Sequence, residues 1–323
     1  MFLKKSIMTI LAATALFSTP TFAETDYPTR DIDLIVGYSA GGSTDVLART
    51  LAPYIQKELD GDQSITVINR PGGSGEISYT EIARANPDGY TLGMVNMPGV
   101  INPIIERSPD YKLDDFTFLG NIVFDPTAIF VSVDSQFKTL KEWVDYAKDN
   151  GKSVTVGNPG RGGAQHTSFE RFLLAAGIDV NNIPFNGGAR SRAALLGGHI
   201  SAAVMGLSEA AGNVKSGDIR VLAIMGEERS RLLPDAPTVT ELGYDVVGGS
   251  YRGLIAPADI DPAVAEKLRT AIAGMTQDPQ FKDDANKRLF LLDYMSADKQ
   301  KALTTDLYKD MSALWEKKPW VEK

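Results

Sequence analysis

The sequence predicts an α/β protein of two lobes, the second inserted into the first. Short apolar runs alternate with amphipathic stretches along nearly the whole chain, the pattern of mostly parallel sheets covered on both faces by helices. About ten such runs exceed a comfortable single open sheet, whereas two lobes of about 120 to 180 residues match ordinary domain sizes. No low-complexity linker interrupts the chain. The crossings between lobes are therefore expected to be short ordered strands, which suit a bending hinge.

The first residues read as an address. Lys4 and Lys5 precede an apolar stretch from Ile7 to Phe17, and Thr21-Phe22-Ala23 is a small-x-small cleavage site. The apolar run is shorter than the roughly 20 residues that span a bilayer. Residues 1–23 are expected to be a secretory signal peptide that is cleaved, leaving a periplasmic chain. Ile32 to Tyr38 then reads as a buried strand, and Ser43 to Leu59 as a helix with apolar residues at Val46, Leu47, Leu51, Ile55 and Leu59. Ile65 to Asn69 is a strand, Arg70 to Gly75 a loop, Ile77 to Ala85 a helix and Tyr90 to Val95 a strand.

Past Asp125-Pro126 the pattern resumes with a strand at Ala128 to Val133. Thr139 opens a helix with Glu142 at capping-box spacing, and Gly151 closes it. Ser153 to Gly157 is a strand, and a glycine-rich loop leads to a helix from Ala164 to Ala176. A strand at Asn182 to Phe185 and a short helix ending at Gly197-Gly198 follow. Ile200 to Met205 and Ile219 to Met225 are two more strands. Beyond Arg252 to Pro257 the chain is mostly helical, from Pro262 to Thr276 and from Asp298 to Trp315. Residues 24–124 and 248–323 are expected to form lobe 1, and 125–247 the inserted lobe 2.

Composition narrows the function. The 323 residues carry 33 Lys+Arg against 41 Asp+Glu, a formal charge of −8, which argues against nucleic acid as a partner and points to a small molecule. There is no cysteine, and His166 and His199 are the two histidines. Thiolate metal sites, disulfides, cysteine nucleophiles and histidine-rich metal sites are all excluded. Neither a metal nor a cofactor is expected.

The most informative segment is Gly37-Tyr38-Ser39-Ala40-Gly41-Gly42-Ser43-Thr44-Asp45, between a strand and a helix. Glycines admit close backbone approach, and the free amides and dipole of the helix start favour an anion. The bland alternative is a tight turn with Ser43 or Thr44 capping the helix. Gly37, Ser39 and Gly41 also match the Gly-x-Ser-x-Gly elbow of an esterase nucleophile. Against that, the elbow would sit on the first strand, with no earlier strand to supply an oxyanion loop and no well-placed base. Gly160-Arg161-Gly162-Gly163 is the counterpart loop in the second lobe. Two such loops facing across a cleft suit a carboxylate at each end of a short organic acid, with Arg161 able to add a charge-assisted bond.

These residues resemble the periplasmic solute-binding receptors of tripartite tricarboxylate transporters, the Bug or TctC-like family. The resemblance covers Tyr27 to Arg30, Gly41 to Asp45 with Ala48-Arg49, Asn69 to Gly75, and Ala83 to Leu92. It continues through Pro184 to Gly188, Leu195 to Gly198, Ile219 to Ala223 with Arg229, Pro234 to Val239, and Gly253 to Pro257. It implies a type II-like two-lobe periplasmic binding protein, not an enzyme, with its ligand cleft between lobes. Such a receptor would be a monomer that hands a small organic carboxylate to a two-subunit membrane permease. The ligand would be a di- or tricarboxylate, an aromatic acid or an acidic amino acid. A sensor subunit that presents ligand to a membrane kinase would share the same cleft.

Carried over from the family, the first-loop binding positions are Tyr38, Ser39, Gly41, Gly42, Thr44 and Asp45. In the second lobe they are Gly160, Arg161, Gly162, Gly163 and His166, with Asn186 and Gly187 nearby. Asn96 and Met97, Met205, Ser208, Tyr251 and Arg252 are also expected near the cleft. Three departures from the family pattern stand out. The first loop lacks the usual prolines, Asn186 replaces a more usual lysine, and Arg252 stands where a small or aromatic residue is usual. Arg161 and Arg252 together would suit a second carboxylate.

Overall fold

The computed structural model describes residues 26–320; the expected signal peptide and its cleavage site lie outside the described residues. The first lobe opens as three strand–helix units. These are β1 (Ile32–Val36) with α1 (Ser43–Glu58), β2 (Ile65–Asn69) with α2 (Glu76–Ala83), and β3 (Thr91–Met97) with α3 (Asn102–Arg107). Strand β1 lies between β2 and β3 and is parallel to both. The chain then enters one long strand, β4 (Phe116–Ser132).

The second lobe follows as α4 (Leu140–Asn150), β5 (Thr155–Asn158), α5 (Ala164–Ala176), β6 (Asn181–Pro184), α6 (Gly188–Leu196), β7 (Ala202–Gly206), α7 (Leu207–Ser216) and β8 (Ile219–Ile224). The chain returns through β9 (Gly249–Pro257) and ends with α8 (Pro262–Gln277), α9 (Pro279–Lys287), β10 (Leu292–Met295) and α10 (Ala297–Lys317).

Strand β4 joins the lobes. Phe116 to Pro126 pairs antiparallel with β9, whereas Thr127 to Ser132 pairs with β7 and β8. The return crossing lies beside it, where Thr127 N–H donates to Gly248 O at 2.9 Å. In each lobe three strands run parallel (β1 to β3, and β5 to β7), and the crossing strand opposes its neighbour. The two crossings press together closely enough that a Cβ on Gly249 would sit 2.4 Å from Asp125 O. Glycine is the residue that this approach admits.

Burial explains why the strands read as continuous apolar runs. Along β4, Ala128 and Phe130 join one core cluster while Ile129 and Val131 join another on the opposite face. In the first lobe Leu34 and Val36 pack beneath α1, and Ile35 packs with Tyr79 and Val95 on the other face. Truncating Leu34, Ile35, Ile129 or Phe130 to alanine costs about 2–5 kcal/mol.

Several elements differ from expectation. Asp125-Pro126 reads as a break, yet β4 runs straight through it. The proline sits where the strand changes partners, and register shifts occur nearby at Phe118/Gly120 and Asn121/Val123. The short elements α3, α7, α9 and β10 were not foreseen. By contrast, the Thr139–Glu142 capping box forms as read, with Glu142 N–H donating to Thr139 Oγ1 at 3.2 Å.

Candidate ligand-binding cleft

Two loops of the same design face each other across the lobes. After β1, Gly41 adopts φ +79°, Gly42 caps α1, and Gly42 N–H donates to Ser39 O at 3.1 Å. After β5, Gly162 adopts φ +71°, Gly163 caps α5, and Gly163 N–H donates to Gly160 O at 3.2 Å. A positive φ at one position of each turn requires glycine. Neither helix has a side-chain cap. Thr44 Oγ1 accepts instead from Asn96 Nδ2 at 2.9 Å, so the first amides of both helices stay free to meet an anion.

A cavity of about 830 Å³ lies between these helix ends. Tyr38, Ser39, Gly41, Gly42, Thr44, Asn96 and Met97 line it from the first lobe. Gly160, Arg161, Gly162, Gly163, Asn186 and Gly187 line it from the second, and Arg252 from the crossing strand β9.

Five other sequence-predicted residues do not line the cavity. Asp45 lies behind the first loop and accepts from Gly41 N–H at 2.8 Å, Asn69 Nδ2 at 2.9 Å and Arg49 Nε at 3.0 Å. Burial works to raise its pKa, but the Gly41 amide, Arg49 and Asn69 prevail and hold it below the usual carboxylate range. His166 lies behind the second loop, where Nδ1 accepts from Gly162 N–H at 3.3 Å. Met205 on β7 pairs with Ala128 of β4 and is packed into the core. Ser208 Oγ donates to Asp125 Oδ2 at 2.6 Å, and Tyr251 stacks on Phe124 with ring centroids 4.3 Å apart.

His166 can play this part because it is neutral. Burial pushes the imidazole down to about 4, with Glu170 opposing the shift and Arg161 and Lys318 reinforcing it. A neutral ring can offer Nδ1 as an acceptor. Its Nε2 faces Glu170 Oε1 at 3.7 Å, and Glu170 in turn pairs with Lys318 Nζ at 2.6 Å. No described histidine bonds to Ser39, and His199 is exposed after α6, so neither histidine serves Ser39 as the base of an esterase.

The two arginines differ. Arg161 is exposed, and its Nη1 donates to Trp320 O at 3.3 Å. Arg252 is buried, with Nη2 at 3.6 Å from Asp125 Oδ2. The lobes also touch at the rim, where Asn102 Nδ2 donates to Gly162 O and Lys318 meets Glu170. The lobes are thus in contact at the rim, while Ser39, Gly41, Asn186 and Gly187 remain exposed.

Sequence reasoning missed Ser74, Asn102, Glu106, Arg107, Arg192, Glu209 and Ser250, which also line the cavity. Asn102 to Arg107 form α3, which carries a detectable signal in the proline of its first turn. Glu209 and Arg192 come from separate helices, and nothing in their local sequence marks their meeting.

Residues 47–318 match the family described as the tripartite tricarboxylate transporter family receptor, TctC. A Cupriavidus necator protein encoded in the gbd 5′ region is 33% identical over 315 residues, covering 97% of this chain and 95% of its own. BugT of Bordetella pertussis is 32% identical over 271 residues, covering 83% and 82%. A crystal structure of a TctC solute-binding protein from Polaromonas superposes with TM-score 0.78 at 29% identity, covering 90% of this chain and all of that one. MatC of Rhodopseudomonas palustris, with bound malate, shares the fold at TM-score 0.78 and 22% identity, covering 89% and 99%. A second R. palustris protein, with adipate, does so at TM-score 0.79 and 23% identity, covering 90% and 98%.

Proposed function

The chain belongs to the tripartite tricarboxylate transporter receptor family, whose members are solute-binding receptors and not enzymes, and on that premise we propose that it captures a dicarboxylate between its lobes. The observation that carries this reading is the pair of uncapped helix starts, one per lobe, opening on a single cavity. Each supplies backbone donors and a positive dipole end, and one carboxylate at each matches that supply. The malate and adipate held by two proteins of the same fold are both dicarboxylates, which supports the same ligand class. Tyr38 also lines the cavity, with its hydroxyl donating to Ser74 O at 3.3 Å.

In this reading residues 1–23 are cleaved and the chain works in the periplasm as a monomer. Lobe 1 comprises 24–124 and 248–323, lobe 2 comprises 125–247, and the closed form docks on a two-subunit membrane permease. A thermal-shift panel of di- and tricarboxylates, aromatic acids and acidic amino acids tests it. A ligand bound by the folded form alone, at about 100 times its Kd, stabilises by about 2.7 kcal/mol. At least one dicarboxylate is expected to raise Tm by several degrees. A panel without any such shift, together with fluorophosphonate labelling of Ser39, would overturn the reading.

A further inference from the structure

Arg252 on β9 lies directly opposite Asn96 of β3, and cross-strand partners share a face of the sheet. Its Nε and Nη1 are buried without a hydrogen-bond partner, and only 2% of the residue is exposed. Asp125 does not satisfy them. Its oxygens accept from Ser208 N–H at 3.0 Å and Ser208 Oγ at 2.6 Å, and Nη2 of Arg252 stands off at 3.6 Å. Arg252 lines the cavity with these two donors just beneath its surface, and an unpartnered buried guanidinium is a natural partner for a planar carboxylate.

Glu209, at the start of α7, lines the same cavity. Its Oε2 rests on Gly188 in the first turn of α6, where a Cβ would lie 1.7 Å away. The charged groups facing it are Asp125 from β4, Arg252 from β9 and Arg192 from α6, whose Nη1 donates to Glu209 O. Two carboxylates thus balance two guanidiniums. A further carboxylate at Arg252 breaks that balance, and neighbouring like charges in a buried site do not all stay ionised. Asp125 is held as an acceptor by Ser208, whereas no described donor bonds to the Glu209 carboxyl oxygens. Burial, followed by Asp125, already pushes Glu209 up to about 7, against the pull of Arg252 and Arg192.

We propose that one carboxylate of the ligand docks on Arg252 and that Glu209, in its acid form, donates a hydrogen bond to it, so that capture takes up a proton from solvent. The proposal rests on the carboxylate reading above and adds a second recognition residue and a proton to it. Above pH 7 the ligand-free Glu209 is mostly ionised, so affinity falls as pH rises, approaching tenfold per unit. Below about pH 6 it is already protonated, and this dependence vanishes.

Calorimetric titration at pH 8 with malate, adipate and the strongest binder of the panel, in phosphate and in Tris buffer, counts the protons exchanged. The wild-type protein is expected to take up between about half and one proton per ligand. Glu209→Gln keeps a donor without a titratable group, so it is expected to take up none and to bind equally well at pH 6 and pH 8. A wild-type protein that binds with no proton uptake, or with release, overturns the proposal and leaves the carboxylate reading intact. Binding of no acid in the panel overturns both. The wild-type count stands whether or not the variant folds.

Discussion

The loop after β1 and the loop after β5 match residue for residue, from the left-handed glycine (Gly41, Gly162) to the capping glycine (Gly42, Gly163), yet they are supported in opposite ways. Behind the first stands a carboxylate, Asp45, fastened by Arg49 and Asn69. Behind the second stands a neutral imidazole, His166, backed by Glu170 and Lys318. The first support stays charged through the neutral range, but its negative charge subtracts from the positive potential of the amides in front. The second leaves that potential undiminished, but it titrates. The first loop is also held within its own lobe, whereas the second is touched by Asn102 from the other. Glycines therefore set the shape of each loop, and the third helical residue sets its charge and its pH range.

The largest effect expected from breaking this pair is at Asp45. Asp45→Ala strands the Gly41 amide and leaves Arg49 and Asn69 without their shared acceptor, at about 3 kcal/mol for bonds to a charged group. Denaturant unfolding should show the loss equally at pH 6 and pH 8.

Alanine at the two left-handed glycines sharpens the comparison. Each pays about 1–2 kcal/mol for φ near +70° to +80°. At Gly41 nothing lies within 4 Å of the new Cβ, so the cost ends there. At Gly162 the Cβ would meet Glu106 Oε1 at 2.6 Å and Trp320 Nε1 at 3.0 Å. Gly162→Ala should therefore also open the cleft, visible as a larger radius of gyration in solution scattering, while Gly41→Ala leaves the radius unchanged.

The supports should part on acidification. The His166 pKa, at about 4, lies below its unfolded value near 6.5, so the unfolded chain binds more protons between the two. Stability is complete above about pH 6.5 and declines as pH falls toward 4, by about 1–2 kcal/mol at pH 5. His166→Gln retains an acceptor for Gly162 N–H and should flatten that decline in a Tm-versus-pH series.

Both loops were legible in the sequence because glycines between an apolar run and a helical period state their geometry locally. Asp45 and His166 were also singled out, but as ligand contacts. Helical side chains tilt toward the N-terminus, so the third residue of each helix folds back beneath its own loop. Arg252 was visible as a departure from the family pattern, whereas its neighbours Arg192 and Glu209 come from the successive helices α6 and α7, well before β9, and reach it only in the folded chain. The first half of β4 was hidden by Asp125-Pro126, which reads as a break when no partner strands are in view.

The central claim is that backbone amides from both lobes hold one ligand, and proline at the first helical position tests it most directly. That position tolerates proline while losing its N–H. Ser43→Pro, with Ser43→Ala as control, removes one amide from the first loop, and Ala164→Pro removes one from the second. The measurement is the calorimetric Kd for the diacid that gives the largest thermal shift. Each proline variant should bind at least tenfold more weakly, as expected for a lost bond to a charged acceptor at about 1.5–3 kcal/mol, with the ligand-free Tm unchanged. Unchanged affinity in either proline variant would contradict the account.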